Sequence, residues 1–297
     1  MMRRLLYVCA ATCVVGCIMG GLAWRYGAAV SLRGIVTSAA PNPQDGKVAH
    51  GTYASDYFGL SYRLPSGWTV AEQGPGPSNS AYYVLTTVIP EGEPNATILI
   101  AAQDMFFVGE EAGSLADQAR DLQEGFSTVA GMTIDREAAE MKVADRPFYR
   151  VDYSGVGLYR AMIITEIRCH VLSFNVTARD PELLNGLVQA LDSDLSFAKA
   201  GDAASAAPPC VKDYAAGDNV LHKVSPVPVG PRFVPIPVRM IVNADGSVRK
   251  VHVIRATDEQ RHSIEDALYR WKLKPYEVDG RASAVETGLV LRFKPDN

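Results

Sequence analysis

The chain reads as α+β: an apolar N-terminal segment, then two sheet-bearing domains. Three observations point there. Short runs alternate apolar and polar residues, as half-buried strands do; two longer stretches switch to helical spacing; and alternating runs flank Asp245-Gly246, the strongest short-range hairpin signal in the chain. A length of 297 residues leaves room for two domains with cores of their own. With 29 basic and 33 acidic residues, the net charge of -4 provides no electrostatic footprint for nucleic acid. A hydrophobic content of 47% excludes wholesale disorder.

The N-terminus sets the expected compartment. Arg3 and Arg4 precede an uncharged apolar run over residues 5–24. At ~1.5 Å per residue that run is about 30 Å long, enough for one bilayer crossing. The two arginines favour a cytoplasmic start. Residues 1–30 therefore read as a membrane anchor or signal segment, with the rest of the chain on the periplasmic side. An alternative stays open. Val14-Val-Gly-Cys17 resembles a bacterial lipobox, which implies a lipoprotein anchored at Cys17. Cys9, Cys13 and Cys17 recur every four residues and read as small packing residues on one helix face. Residues 31–52, punctuated by Pro41, Pro43, Gly46 and Gly51, read as a linker.

Residues 53–198 read as an α+β domain. Strands are expected over 57–64, 82–89 and 96–102, with a turn at Gly74-Pro-Gly76-Pro. Leu115, Ala119, Leu122, Phe126 and Val129 then follow helical spacing, and Ser114 with Asp117 form a capping box. Further strands are expected over 140–143, 147–153, 158–167 and 171–178. Asp180 caps a second helix, Pro181 takes its first turn, and Leu183, Leu184, Leu187, Val188 and Leu191 make its apolar face. The opening Tyr57-Phe-Gly-Leu-Ser-Tyr-Arg-Leu-Pro-Ser-Gly-Trp68 and the closing strand, capped helix and Asp194-Leu-Ser-Phe197 resemble PsbP-like domains. That resemblance implies an antiparallel sheet with packed helices and a binding or scaffolding role. Trp68 reads as a core aromatic.

A second linker, residues 199–219, is rich in Ala, Gly and Pro. Beyond the anchor the cysteines are Cys169 and Cys210, so an intrachain disulfide is open in an oxidising compartment, though spacing alone does not fix their distance.

Residues 220–297 read as a small ββαβ domain. Ile236, Val238, Met240 and Val242 share one strand face, and Val248, Val251 and Val253 line the return strand. A helix follows, with Trp271 in the core and Pro275 as its stop. Asp279-Gly280 turns the chain into a final strand. This ordered series, ending Leu291-Arg-Phe293, resembles the C-terminal domain of TonB-family proteins. The resemblance implies a periplasmic adaptor that contacts a membrane partner, an outer-membrane transporter or inner-membrane motor subunits, through an exposed strand edge. Two features depart from that family: the long Pro-rich spacer is absent, and the apolar run holds no His or Ser.

Reactive constellations are not evident. No Gly-x-Ser-x-Gly elbow or phosphate loop occurs. Cys169 and His170 are adjacent in a strand context and so face opposite sides. The five histidines lack ligand spacing, and Glu110-Glu111 and Asp192 with Asp194 read as solvated faces or helix ends. The expected function is non-enzymatic, without cofactor or metal: partner binding by strand addition. The contact residues would be Ala284, Val285, Glu286, Thr287, Gly288, Leu289, Val290, Leu291, Arg292 and Phe293. Capping of this strand by a homodimer or by the neighbouring domain is the competing expectation. The alternative function is a ligand-binding or scaffold protein of the cell envelope, in which the PsbP-like domain is the active module.

Overall fold

A computed structural model describes residues 41–293, apart from 72–73, 93–94, 109–112, 199–206 and 231–233. The anchor and lipobox readings, with Cys9, Cys13 and Cys17, lie outside the described residues, as does Glu110-Glu111. Among the described residues no helix is long and apolar enough to cross a membrane. Asn42–Asn297 form one compact unit, mostly antiparallel sheet with three α-helices among the described residues.

In the first segment, β1 (Lys47–Ala49), β2 (Thr52–Ser55) and β3 (Leu60–Arg63) pair in order. A larger sheet holds β4 (Trp68–Val70), β5 (Tyr82–Pro90), β6 (Ala96–Asp104), β7 (Thr133–Val143), β8 (Arg146–Gly155), β9 (Leu158–Ile167) and β10 (His170–Ala178). Its order is β4-β5-β6-β10-β9-β8-β7. The short β11 (Leu195–Phe197) returns to pair with β3.

Two helices cover opposite faces of the larger sheet. α1 (Leu115–Ser127) opens on the expected capping box: the Asp117 N–H donates to Ser114 Oγ and the Ser114 N–H to Asp117 Oδ2. Its Phe126 stacks on Tyr153 at 3.9 Å. α2 (Pro181–Asp194) is capped by the Asp180 carboxylate. It buries Leu184, Leu187, Val188 and Leu191 against Phe148, Ile163 and Phe174. Phe148 and Tyr153 lie five positions apart on β8, so they point to opposite sides, and so do the helices they meet.

The second segment contains β12 (Val220–His222), β13 (Ile236–Val242), β14 (Val248–Val253), α3 (Asp258–Leu268), β15 (Lys272–Leu273), β16 (Tyr276–Val278), β17 (Arg281–Ser283) and β18 (Val285–Leu291). β13 is the centre of a β14-β13-β18 sheet. One face, carrying Ile236, Val238, Met240 and Val242, packs on Val285, Ile264, Leu268 and Trp271. The other face turns to the first segment, where Ile254 joins the first core. Pro237 sits at the end of the β13–β14 ladder: its carbonyl accepts from the Ile254 N–H at 3.0 Å, and the reciprocal donor that proline lacks would fall past the end of β14.

Several expectations need correction. Lys47–Ala49 and Thr52–Ser55 form strands at the end of the expected linker, because pairing with β3 rather than hydrophobic patterning holds them. The second linker packs over its later half, with Tyr214 and Ala215 buried in the second core. Pro275 does not stop the helix: α3 ends at Leu268, and Lys272–Leu273 leaves to pair with β12. Burial of Leu273 and a bond from the Trp271 indole N–H to the Val224 carbonyl, at 2.7 Å, draw the chain off the helix axis first.

The Asp245-Gly246 hairpin closes as a four-residue turn, with the Gly246 N–H donating to the Asn243 carbonyl at 2.8 Å and a register shift after Ile241. Gly246 has φ +83°, and a Cβ there would run into the Leu273 carbonyl. Gly280 has φ +72° with open space around it. Replacing Gly280 with Ala should therefore cost only the left-handed strain, about 1 kcal/mol. Gly246→Ala should cost clearly more, and urea midpoints of the two variants will rank them. Equal losses would contradict the crowding at Gly246.

Candidate functional site

The terminal strand is where partner contact was expected. β18 pairs with β13 along its whole length, from Val285↔Val242 to Leu291↔Ile236, so its other edge is outermost. Antiparallel alternation turns the backbone groups of every second residue outward. These belong to Glu286, Gly288 and Val290.

The chain itself closes the first half of that edge. The Glu286 N–H donates to the Pro209 carbonyl and its own carbonyl accepts from the Val211 N–H, both at 2.9 Å, forming a parallel bridge at Cys210. The Tyr214 N–H donates to Thr287 Oγ1 at 3.1 Å. Gly288 lies beneath Phe106 and Phe107 so closely that no side chain would fit. Of the ten expected contact residues, Val285 and Phe293 belong to the second core and Thr287 is fully buried. Leu289 and Leu291 pack against that core from the side. Val290, 48% exposed, and the exposed Arg292 are the side chains the strand presents to solvent.

Glu286 faces inward and enters a buried ionic cluster that joins the two segments. Arg239, on β13, is 2% exposed. Its Nη1 donates to Asp104 Oδ2 at 2.7 Å and its Nε to Glu286 Oε1 at 3.2 Å. The guanidinium also lies over the Phe106 ring, 4.5 Å from its centroid. Arg168 supplies the second cation, 3.8 Å from Glu286 Oε2, and stacks on Tyr57. Two arginines and two carboxylates balance in charge.

His170 completes the cluster. Its Nδ1 meets the Arg168 carbonyl at 2.7 Å and its Nε2 faces Arg239 Nη1 at 3.3 Å. The carbonyl requires a proton on Nδ1, and the arginine requires a lone pair on Nε2, so these partners assign the neutral tautomer. Burial, then the positive Arg239, hold its pKa well below the ordinary value. Burial pushes the Asp104 carboxyl up, against the pull of Arg239. His252, buried on the same sheet face with Nε2 unpartnered, is driven down to about 3, first by burial and then by Lys250.

Cys169 and Cys210 are joined as a disulfide, with Cα atoms 6.2 Å apart. The bond ties the β9–β10 turn to the segment lying on β18. Arg168 and Cys169 both hold positive φ in that turn, 49° and 59°, without a glycine. The disulfide removes the thiolate, and His170 is sequestered, so this adjacent pair forms no nucleophile and base. Asp192 accepts from the Ala144 N–H, and Asp194 pairs with Arg63. Among the described residues no cluster of His, Cys, Asp and Glu could hold a metal ion.

Asp104, Arg239 and Glu286 were missed as a unit by sequence reasoning. The available signal was a charged residue in each of three largely apolar strands, at the end of β6 and within β13 and β18, which alternation reads as solvent-facing. Gly74-Pro-Gly76-Pro lines a cleft beside β5.

No protein-family model and no curated protein sequence matches this chain. Solved structures do. PsbP (CyanoP) of the cyanobacterium Synechocystis sp. PCC 6803 is 13% identical at a TM-score of 0.37, over 52% of this chain and 96% of that one. LpqN of Mycobacterium tuberculosis, involved in cell envelope biogenesis, is 12% identical at 0.35, over 47% and 83%. The Ran-binding protein Mog1p of Saccharomyces cerevisiae is 9% identical at 0.31, over 47% and 90%. The PsbP-like resemblance thus has solved neighbours over about half the chain, and the TonB-like one has no support from the comparisons. At these identities and TM-scores the likeness carries no inference about activity.

Removing Arg239 leaves two buried carboxylates short of a partner. Arg239→Met should cost about 3–5 kcal/mol, whereas Arg63→Met, at an arginine 68% exposed, should cost under about 1 kcal/mol. Urea denaturation of both variants measures the contrast.

The histidines predict an acid-side loss. A histidine with its folded pKa depressed contributes its full stability above the unfolded value of about 6.5. That contribution disappears as pH falls toward the folded value, because the unfolded chain binds the proton first. For His252 the window runs from pH 6.5 down to about 3. Asp104, shifted upward, has the opposite sign. The comparison of wild type with His252→Gln isolates the histidine: the wild type should lose more stability between pH 7.5 and 5. Parallel profiles would contradict a buried, neutral His252.

Proposed function

We propose that this chain is a non-enzymatic protein of the bacterial envelope, tethered through its N-terminal segment, that binds a partner by strand addition along the open half of β18. One observation supports the reading most strongly. Of the three-stranded sheet's edges, the outer edge of β14 is occupied by α3: the Val251 N–H donates to the Tyr269 hydroxyl and Arg261 Nη1 donates to the Val253 carbonyl. The first half of β18 is occupied by residues 209–211. Among the described residues nothing pairs with the outward N–H and C=O of Val290, whose side chain is 48% exposed. An extended peptide can complete that ladder.

The partner in this reading is a membrane protein, an outer-membrane transporter or an inner-membrane motor subunit, and the site is narrower than the whole terminal strand. The disulfide supports an oxidising compartment, since such bonds are rare in the cytosol. The PsbP-like segment acts as the rigid base against which the three-stranded sheet is held.

Val290 pairs with Pro237, and its N–H points away from β13. Val290→Pro therefore removes the outward donor without breaking the existing ladder, which an edge strand tolerates. With a photoreactive residue at Arg292 in intact envelopes, the unaltered strand should crosslink to one membrane protein, and Val290→Pro should reduce that yield at least about tenfold while leaving the urea midpoint nearly unchanged. Crosslinking only to a second copy of the chain, or a yield indifferent to Val290→Pro, would overturn the reading.

A further inference from the structure

The seven-stranded sheet ends on β7, whose outer edge lies far from β18 in strand order and belongs to the other segment. The β7–β8 hairpin turns on Ala144 and Asp145, both at positive φ, 48° and 61°. A two-residue turn of this kind makes Val143 and Arg146 the bonded pair that closes the ladder. Alternation then makes Met141 and Phe148 a bonded pair and turns the backbone N–H and C=O of Glu140 and Lys142 away from β8. Pro147, which faces Lys142, fits this assignment because it has no N–H to give to that pair.

Both ends of this outward stretch are closed by side chains. The Ala138 N–H donates to Gln123 Oε1 at 2.6 Å, and the Ala144 N–H donates to Asp192 Oδ1 at 3.0 Å. Between them, residues 139–143 extend for about 17 Å at ~3.4 Å per residue. Among the described residues β8 is the only strand that pairs with β7.

The side chains give this short edge a preferred partner. Glu140 and Lys142 are exposed, lie on the α1 side of the sheet, and enter no ion pair among the described residues. Met141 lies on the α2 side with Phe148 and packs on the first core. A second copy of β7, arriving antiparallel about a two-fold axis, can match outward residues to outward residues with the axis at residue 140, 141 or 142. At 140, Glu140 faces its own copy and Lys142 meets the capped Ala138; at 142, Lys142 faces its own copy and Glu140 meets the capped Ala144. Like charges directly opposite are destabilising. At 141, each Glu140 faces the partner's Lys142, and all the free backbone groups are used.

We propose that β7 is a homodimer interface, in which a second copy of this chain pairs its own β7 antiparallel about Met141 and joins the two sheets into one. Each Glu140 exchanges both backbone hydrogen bonds with the partner's Lys142, the two side chains pair on the α1 side, and Met141 meets the partner's Met141 on the α2 side. The interface is self-complementary, as two-fold symmetry requires. It is also short, so the association is concentration-dependent rather than permanent.

The test is sedimentation equilibrium of the full chain in detergent micelles, with single and paired charge reversals. The unaltered chain should dimerise. Glu140→Lys and Lys142→Glu each place like charges opposite one another twice in the dimer, and each should weaken association at least about tenfold. The double variant carrying both reversals restores opposite charges in the same register and should recover most of the affinity. Urea midpoints of all three should stay close to that of the unaltered chain, since both side chains are exposed. A chain that stays monomeric would overturn the proposal and leave the charges as a guard against edge pairing. Dimers indifferent to the single reversals, formed through another surface, would also overturn it, and so would a double variant no tighter than the singles.

Discussion

The structure depends on the burial of Arg239 between Asp104 and Glu286. A guanidinium that is 2% exposed would cost several kcal/mol to desolvate, and only close, well-formed pairing offsets that. Asp104 comes from the end of β6, while Arg239 and Glu286 come from β13 and β18. The charge pairing can form only when the two segments are in place together. Phe106 over Arg239 and Tyr57 under Arg168 shield the cluster from water and raise the penalty for any half-formed arrangement.

This joint dictates which backbone edges remain available. Turning Arg239 and Glu286 inward brings Gly288 beneath Phe106, and the Cys169–Cys210 disulfide holds residues 209–211 on β18. The three-stranded sheet is covered on its inward face and closed along the first half of its β18 edge.

Much of this was legible in the sequence, and the boundary between what was and was not is physical. Ser114 with Asp117, Asp180 with Pro181, and Asp245 with Gly246 act within a few residues, so their hydrogen bonds could be read directly from spacing. The strand Leu158–Ile167 was expected with the bounds it has. Pro275 misled because a helix stop is a local rule, whereas Lys272–Leu273 answers to a strand fifty residues earlier. Arg239 and Glu286 stayed hidden because alternation assigns polar residues to water and cannot see a second segment lying on that face.

The central claim is that one buried charge cluster makes the two segments a single cooperative body. It is tested most directly by urea unfolding of the full chain with Trp24→Phe, followed separately through Trp68 in the first segment and Trp271 in the second, each as the remaining tryptophan. The account predicts coincident midpoints and slopes for both probes, and their separation into two transitions on Arg239→Met. Separate transitions in the chain that retains Arg239 would show two independently stable domains and contradict the account.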